Sequence, residues 1–426
     1  MRVLVVGGNA REHTLVWKIA QSPLVDKVYC VPGNAGIAEL ADCRSMPWED
    51  NFAELINFAE NEQIGLTVVG PEVPLANGLI DALEKRGLRA FGPKRKAAAL
   101  ESSKQFAKNL MVRNGVPTAN YRAFRDPREA IAYIKERNSP VFVKADGLAA
   151  GKGAIAGRTV EEAIQAVRTI MINREFDEAG DHVIIEEELF GEEASFFVLT
   201  DGIHCLPLAS SQDHKMSLDG NQGKNTGGMG AYSPAPVVTP EIETFVINNI
   251  VYPTIAGMRA ENRIFKGVLY VGLMMTAAGV KVVEFNCRFG DPETQVLLPR
   301  MDSDLVPILD ACIDGTLANV KVEWRPESAA CVVMASGGYP ADYETGKVIT
   351  GINEANALND VIVFQAATES QNALIRTNGG RILSVTGLAN DLASAVDRAY
   401  EGVNEIHFDK AHFRRDIGHQ ALTRHK

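Results

Sequence analysis

The chain has 426 residues, more than a single core usually fills, so two to four compact units sharing interfaces are expected. Its hydrophobic and charged fractions, 46% and 23%, are those of an ordinary globular protein, and no apolar run approaches the length of a membrane span. The formal net charge of -11 argues against a nonspecific binder of nucleic-acid backbones, yet a pocket for a small phosphorylated ligand needs only a few local cations and backbone N–H groups.

The first third alternates short β-branched runs with amphipathic helices. RVLVV precedes a helix from Arg11 to Ala20, and KVYCV, a helix from Phe52 to Glu60, LTVVG, a helix from Leu75 to Lys85 and LRAFG follow. This order predicts a parallel sheet with right-handed crossovers, ending around Gly92-Pro93. Arg11, Glu12 and His13 interrupt the N-terminal apolar run before a secretory signal develops, so a cytoplasmic location is expected. The six cysteines are scattered without C-x-x-C spacing and read as free thiols.

A helical stretch from Lys94 to Asn114 opens the middle of the chain. NYRAF, a helix from Pro127 to Arg137, PVFVKA, a Gly-rich loop, AIAG, a helix from Val160 to Ile172 and HVIIEE come next; two strands around a Gly-rich turn read as a flap. Ala194 to Leu206 is strand, turn, strand with Asp201-Gly202 as the hairpin signal. Ser210 to Ala235 reads as a long functional loop without regular structure. A helix from Glu241 to Glu261 leads to strands at Gly267 to Thr276 and Val280 to Phe285. From about Ala329 a separate unit carries ACVVMA, DVIVFQ and RILSVTG and a helix from Leu392 to Val403.

Four segments carry candidate chemistry. Gly7, Gly8, Asn9 and Ala10 follow the first strand, where a helix start would offer free N–H groups to an anion; a plain tight turn is the alternative. Lys144 ends an apolar strand just before glycines that allow close approach of a phosphate, with Lys152 inside the loop between Gly151 and Gly153. Glu186, Glu187 and Glu188 end another apolar strand and form either a nucleotide hinge or a solvated acidic patch. In KVVEFNCRFGDPETQ, Glu284 and Asn286 share one strand face, as two oxygen donors for magnesium should, and Arg288 continues that face as a fork for a carboxylate. Asp213, His214 and Lys215 are a polar substrate patch or a loop tip. A dinucleotide-dependent oxidoreductase is disfavoured, because KVYCVPGN offers no acidic residue to a ribose hydroxyl.

Taken in order, PGNAG, VVGPEVPLANGLID, AALESSKQFAK, VFVKADGLAAGKG, IIEEELFGEEAS, QDHK, NTGGMGAYSPAP, FKGVLYVGLM and VEFNCRFGDPETQVLLPR resemble the glycinamide ribonucleotide synthetases over nearly the whole chain. That resemblance implies an α/β and α+β multidomain ATP-grasp fold with a biotin-carboxylase-like arrangement: an N-terminal parallel-sheet domain over 1–101, an ATP-grasp domain over 102–325 with a flap at about 120–190, and a C-terminal domain over 326–426. It implies ligation of glycine to 5-phosphoribosylamine, with ATP forming a glycyl phosphate and Mg²⁺ or Mn²⁺ at the phosphates. By the same likeness Lys104, Lys144, Gly151, Lys152 and Gly153 would meet the nucleotide phosphates, Glu186, Glu187, Glu188 and Leu189 the adenine, and Glu193 the ribose. Glu284 and Asn286 would hold the metal, and Arg288, with Gly290 beside it, the glycine carboxylate. Asp213 and Lys215 would assist the chemistry, and Gly7, Gly8, Asn9, Pro32, Gly33 and Asn34 would receive the phosphoribosylamine. The expected partners are these small molecules alone, without nucleic acid or membrane, on a monomer. The chain departs from the family pattern at Asn9-Ala10, Met216, Lys224 and Gln365 to Thr368.

Overall fold

The computed structural model describes residues 1–149 and 153–424. Gly151 and Lys152 lie outside the described residues. The N-terminal region is a parallel sheet in the order β3-β2-β1-β4-β5, from β1 (Arg2–Gly7), β2 (Lys27–Pro32), β3 (Asp42–Cys43), β4 (Ile64–Val69) and β5 (Ala90–Phe91). Both faces of β1 are buried: Leu4 and Val6 enter one core cluster, Val3 and Val5 another. A parallel sheet covered on two sides demands such a continuous apolar run. Each of these side chains contributes about 1.5–3 kcal/mol by leaving water.

Helices α1 (Ala10–Ile19), α2 (Ala53–Asn61), α3 (Glu72–Asn77) and α4 (Leu79–Lys85) connect these strands. The helix expected from Leu75 to Lys85 is two helices, because Gly78 adopts φ 93° and caps the first. The stretch from Lys94 to Asn114 also divides, into α5 (Arg95–Ser102) and α6 (Lys104–Arg113). Ser103 between them is extended, and its hydroxyl accepts the Phe106 N–H at 3.1 Å, an N-cap that restarts the helix.

Two antiparallel sheets follow. One has the order β6-β9-β7-β8, from β6 (Tyr121–Phe124), β7 (Val141–Ala145), β8 (Ala154–Gly157) and β9 (Val183–Glu187). The other has the order β11-β10-β16-β17, with β10 (Glu192–Thr200), β11 (Cys205–Pro207), β16 (Gly267–Thr276) and β17 (Gly279–Asn286). Phe196, Leu269 and Val282 of this second sheet share a core with Leu4 and Val6, so it packs directly on the N-terminal region.

The expectation for Ser210 to Ala235 needs correction. The segment contains β12 (Gln212–Asp213), β13 (Met216–Leu218), β14 (Gln222–Asn225) and β15 (Gly230–Ser233). Its strands are only two to four residues long, too short to display an alternating apolar pattern. β13 and β14 form a hairpin, while β12 and β15 join β18 (Ser328–Ala335), β19 (Val361–Gln365) and β22 (Arg381–Ala389) in the order β12-β15-β18-β22-β19. The small hairpin β20 (Thr368–Gln371) and β21 (Leu374–Thr377) lies between β19 and β22 in the chain. The C-terminal sheet is thus completed by strands from the middle of the chain.

Candidate functional site

The site begins where β17 changes phase. Val280 and Val282 are buried in the core, and so are Phe285 and Cys287, which strict alternation cannot place on one face. Leu273 lies opposite Val282, but its neighbour Gly272 lies opposite Glu284, so Val283 is an extra residue on this strand. This bulge turns Glu284 and Asn286 off the core face. Without it, continued alternation from Val280 and Val282 would bury Glu284 among apolar side chains.

Four cations face Glu284. Burial alone would push its carboxyl up, but Lys215, Lys144, Lys104 and Arg288 outweigh that and hold it below the ordinary range. Lys104 owes its place to the break at Ser103: it starts α6 and donates to the Gly147 carbonyl at 3.0 Å. Asp146 braces the turn, accepting from the Gln105 N–H at 3.0 Å and from Ser103 Oγ at 3.2 Å. Burial pulls Lys104 down, against the charge of Glu284. Lys144 on β7 reaches Glu186 Oε2 at 3.0 Å on neighbouring β9.

Among the hinge residues, Glu187 has its side chain spent on structure. It accepts from Asn120 N at 3.0 Å and Asn120 Nδ2 at 2.9 Å and from Lys281 at 3.0 Å; burial opposes these contacts, yet they hold its carboxyl at about 2. Glu188 and Leu189 are half-buried just beyond β9. Gly153 closes the flap strand pair, its carbonyl accepting the Ala145 N–H at 2.8 Å.

Lys215 and Glu193 form a 2.6 Å ion pair. Burial lowers Lys215, but Glu193, Asp213, Tyr270 and Glu284 keep its ammonium well above the usual lysine range. Burial pushes Asp213 up to about 7 against the pull of Lys215, with Glu293 and Glu193 adding to the rise. Ser195 Oγ donates to Glu293 Oε1 at 3.1 Å and lies 3.0 Å from the Tyr270 hydroxyl, which fixes Glu293 behind this group. His214 points elsewhere: its Nε2 accepts the Gly418 N–H at 3.0 Å, and burial lowers it to about 3, so it is a neutral clamp on the C-terminal segment.

Arg288 is braced by two carboxylates, Glu72 at 3.0 Å and Glu101 at 3.2 Å. Glu101 in turn accepts the Cys287 N–H at 2.7 Å. Arg11 stands 3.9 Å from Glu72, so cations and carboxylates alternate from the first helix to the cluster.

The glycine turn after β1 is less open than expected. Glu12 accepts the Asn9 N–H at 2.8 Å, and Asp291 lies 3.4 Å from the Arg11 nitrogen. Glu12 also fills the space beside two glycines: a Cβ at Gly70 would stand 2.1 Å from its Oε1, and one at Gly7 2.5 Å from its Cγ. Asn34 donates to Gly8 O at 2.9 Å and Gln365 O at 2.7 Å, fastening the turn to β19. Gly8 and Gly33 touch so closely that a Cβ on Gly8 would meet the Gly33 carbonyl at 2.6 Å, while Pro32 ends β2 just before them. Gly290 lies against Glu293. What stays open is a cavity of about 150 Å³ lined by Asn9, Asp291, Tyr339, Tyr343, Gly380 and Arg381, among others. Its cation is Arg381, which donates to the carbonyls of Gly227 at 2.9 Å and Asp291 at 2.8 Å.

Sequence reasoning missed Lys108, Glu72, Glu101, Glu293 and Arg381. A signal existed for Lys108, which lies one helical turn beyond Lys104. Glu293 lies in the same motif as Arg288, but the other three depend on contacts between distant segments.

Family models of phosphoribosylglycinamide synthetase match in chain order: the N domain over 1–101, the ATP-grasp (A) domain over 102–294 and the C domain over 329–420. A curated phosphoribosylamine–glycine ligase of Allochromatium vinosum is 50% identical over 428 residues, covering 100% of both chains. One from Escherichia coli is 48% identical over 427 residues, 100% of this chain and 99% of its own length. The crystal structure of phosphoribosylamine–glycine ligase from Thermotoga maritima superposes with a TM-score of 0.84 at 30% identity, over 98% of this chain and 100% of its own. Biotin carboxylase from Campylobacter jejuni shares the fold alone, with a TM-score of 0.73 at 15% identity over 97% of this chain and 92% of its own.

Two antiparallel sheets meeting over a buried cluster of lysines and carboxylates, beside a parallel-sheet domain, define an ATP-grasp ligase. Matched over nearly its full length, the chain belongs to the phosphoribosylglycinamide synthetase family.

Proposed function

We propose that this chain joins glycine to 5-phosphoribosylamine, converting ATP to ADP and phosphate through a glycyl phosphate. The observation that carries the reading is the convergence of Lys104, Lys144, Lys215 and Arg288 on Glu284, together with a cavity at the glycine turn whose cation is Arg381. A carboxylate is a poor acyl donor. Its oxygen therefore attacks the γ-phosphorus as ADP departs, and the amine then attacks the acyl carbon, expels phosphate and loses a proton.

Each group has a part in this sequence. Lys104 and Lys144, with Gly151, Lys152 and Gly153 of the flap, serve the phosphates; the strand end from Glu186 to Leu189 receives the adenine and Glu193 the ribose. Arg288, held by Glu72 and Glu101 and followed by Gly290, orients the glycine carboxylate. Lys215 neutralises charge at the transferring phosphoryl group, and Asp213, lifted by burial, is suited to take the amine proton. Asn9 and Arg381 meet the phosphate of the acceptor, with Gly7, Gly8, Pro32, Gly33 and Asn34 shaping the turn beneath it. Catalysis is positioning and charge neutralisation rather than nucleophilic attack by a side chain.

Mg²⁺ or Mn²⁺ fits the same face. Glu284, whose carboxyl is held below its ordinary range, and Asn286, with its amide oxygen, are the two hard donors that would hold it. When bound, the ion supplies charge neutralisation at the phosphates. Among the described residues no helix is long and apolar enough to cross a membrane. We read the enzyme as a cytoplasmic monomer acting on small molecules, and sizing chromatography tests the monomer. Mass spectrometry after incubation with ATP, glycine and freshly generated phosphoribosylamine tests the reaction: glycinamide ribonucleotide is expected, and its absence overturns the reading.

A further inference from the structure

The buried group behind the hinge contains one lysine more than its carboxylate requires. Lys108 and Lys144 both hold the same oxygen of Glu186, at 2.9 and 3.0 Å, while Glu186 Oε1 has no partner among the described residues. All three residues are shielded from water, with exposures of 2% for Lys108, 6% for Lys144 and 4% for Glu186. Lys108 is fixed from behind as well. It donates to Thr118 Oγ1 at 2.8 Å, and that hydroxyl donates to the Val282 carbonyl at 2.8 Å, immediately before the bulge that aims Glu284.

A buried carboxylate cannot be left without a counter-charge at small cost. If Lys144 is to serve the nucleotide phosphates, another cation must stay on Glu186. From the anchoring of Lys108 we infer that it is the positioning residue that keeps Glu186 neutralised, so that Lys144 can leave it for the phosphates of ATP. Lys108 touches neither glycine nor acceptor and acts through Lys144. With two cations on one carboxylate oxygen, the departure of Lys144 leaves a balanced Lys108–Glu186 pair rather than a bare charge. This inference rests on the reading of Lys144 as a phosphate ligand.

The test uses the full-length chain with K108M, K108R, E186Q and K108M/E186Q, reading ATP dissociation constants by calorimetry together with KM and kcat. K108M is expected to weaken ATP ten- to hundredfold in both Kd and KM, with the KM values of glycine and phosphoribosylamine within about twofold. K108R should recover most of the loss. Adding E186Q to K108M removes the stranded carboxylate, so the double variant should bind ATP within about threefold of E186Q alone. If K108M does not fold, the double variant and E186Q still decide the matter, since the same near-equality is required of them. Unchanged ATP affinity in K108M, or a double variant as weak as K108M or much weaker than E186Q, overturns the inference. Failure of the wild-type chain to form glycinamide ribonucleotide would instead overturn the ligase reading.

Discussion

The cluster around Glu284 and the cavity at the glycine turn are built on opposite plans. Around Glu284 the chain gathers Lys104, Lys144, Lys215 and Arg288 from separate elements and leaves cationic groups with charge to offer. Around the glycine turn the Asn9 and Arg11 N–H groups are already met by Glu12 and Asp291, and the open space is bounded by the C-terminal unit through Tyr339, Tyr343 and Arg381. One side is an electrostatic cluster set by local strand geometry. The other is an interface, and its affinity depends on how firmly two distant segments are held together.

The largest separation of the two sides should come from Glu284→Gln. Losing a charge-assisted contact is worth about 1.5–3 kcal/mol, roughly ten- to hundredfold, and disturbed metal geometry adds to it, so turnover should fall by more than about a hundredfold. Thermal melting should show the fold intact. Ordinary turnover at ordinary Mg²⁺ would remove Glu284 from the chemistry. Arg381→Met comes next: steady-state kinetics should show the phosphoribosylamine KM rising about ten- to hundredfold, the worth of one charged contact, with ATP and glycine KM values steady. Equal movement of all three would mean that the two sides are a single electrostatic unit.

Acid should also weaken the interface. Burial lowers His13 to about 4 and His214 to about 3; His13 Nδ1 accepts the Gln365 N–H at 2.8 Å, and His214 accepts from Gly418. Both are neutral in the folded chain, whereas the unfolded chain takes up these protons at about pH 6.5. The stability they confer is therefore complete above about pH 6.5 and is lost as pH falls towards 4 and 3, at about 1.4 kcal/mol per pH unit for each histidine in that window. Melting temperature followed from pH 7 to 5 should drop, and His13→Gln should flatten the slope; an unchanged slope would assign the loss to other groups. The smallest effect is expected at Ala10→Gly. Ala10 is the first residue of α1 and is fully buried against Phe364 and Ala366, so glycine there removes a packed methyl and weakens the helix start. A loss of about 1 kcal/mol in chemical denaturation is expected, without improved phosphoribosylamine KM.

Much of the cluster around Glu284 was legible because it depends on neighbours in sequence. The alternation of Glu284, Asn286 and Arg288 and the position of Lys144 at a strand end both reflect the period of an extended chain. The bulge at Val283 was not legible, since KVVEFN reads as a smooth strand until its partner is known. The cavity at the glycine turn was largely hidden for a similar reason. Arg381 meets Asp291 and Gly227 across 90 and 154 positions, and no local period encodes such a meeting. Asn9 was named from turn chemistry and Asn34 from the family resemblance, but the carboxylate of Glu12 that occupies the turn became visible only with the tertiary structure.

The weave of the C-terminal sheet bears on how this chain can be recombined. β15 pairs directly with β18, and β12, which begins the QDHK segment, pairs with β15, so the strands from 328 to 389 complete their hydrogen bonding with residues 230–233 and, through them, 212–213. A chimaera exchanging everything after residue 326 with a relative would join two parents between β15 and β18 of one sheet, one strand away from Asp213. The block that can be exchanged intact is discontinuous in sequence: 212–233 must travel with 328–424.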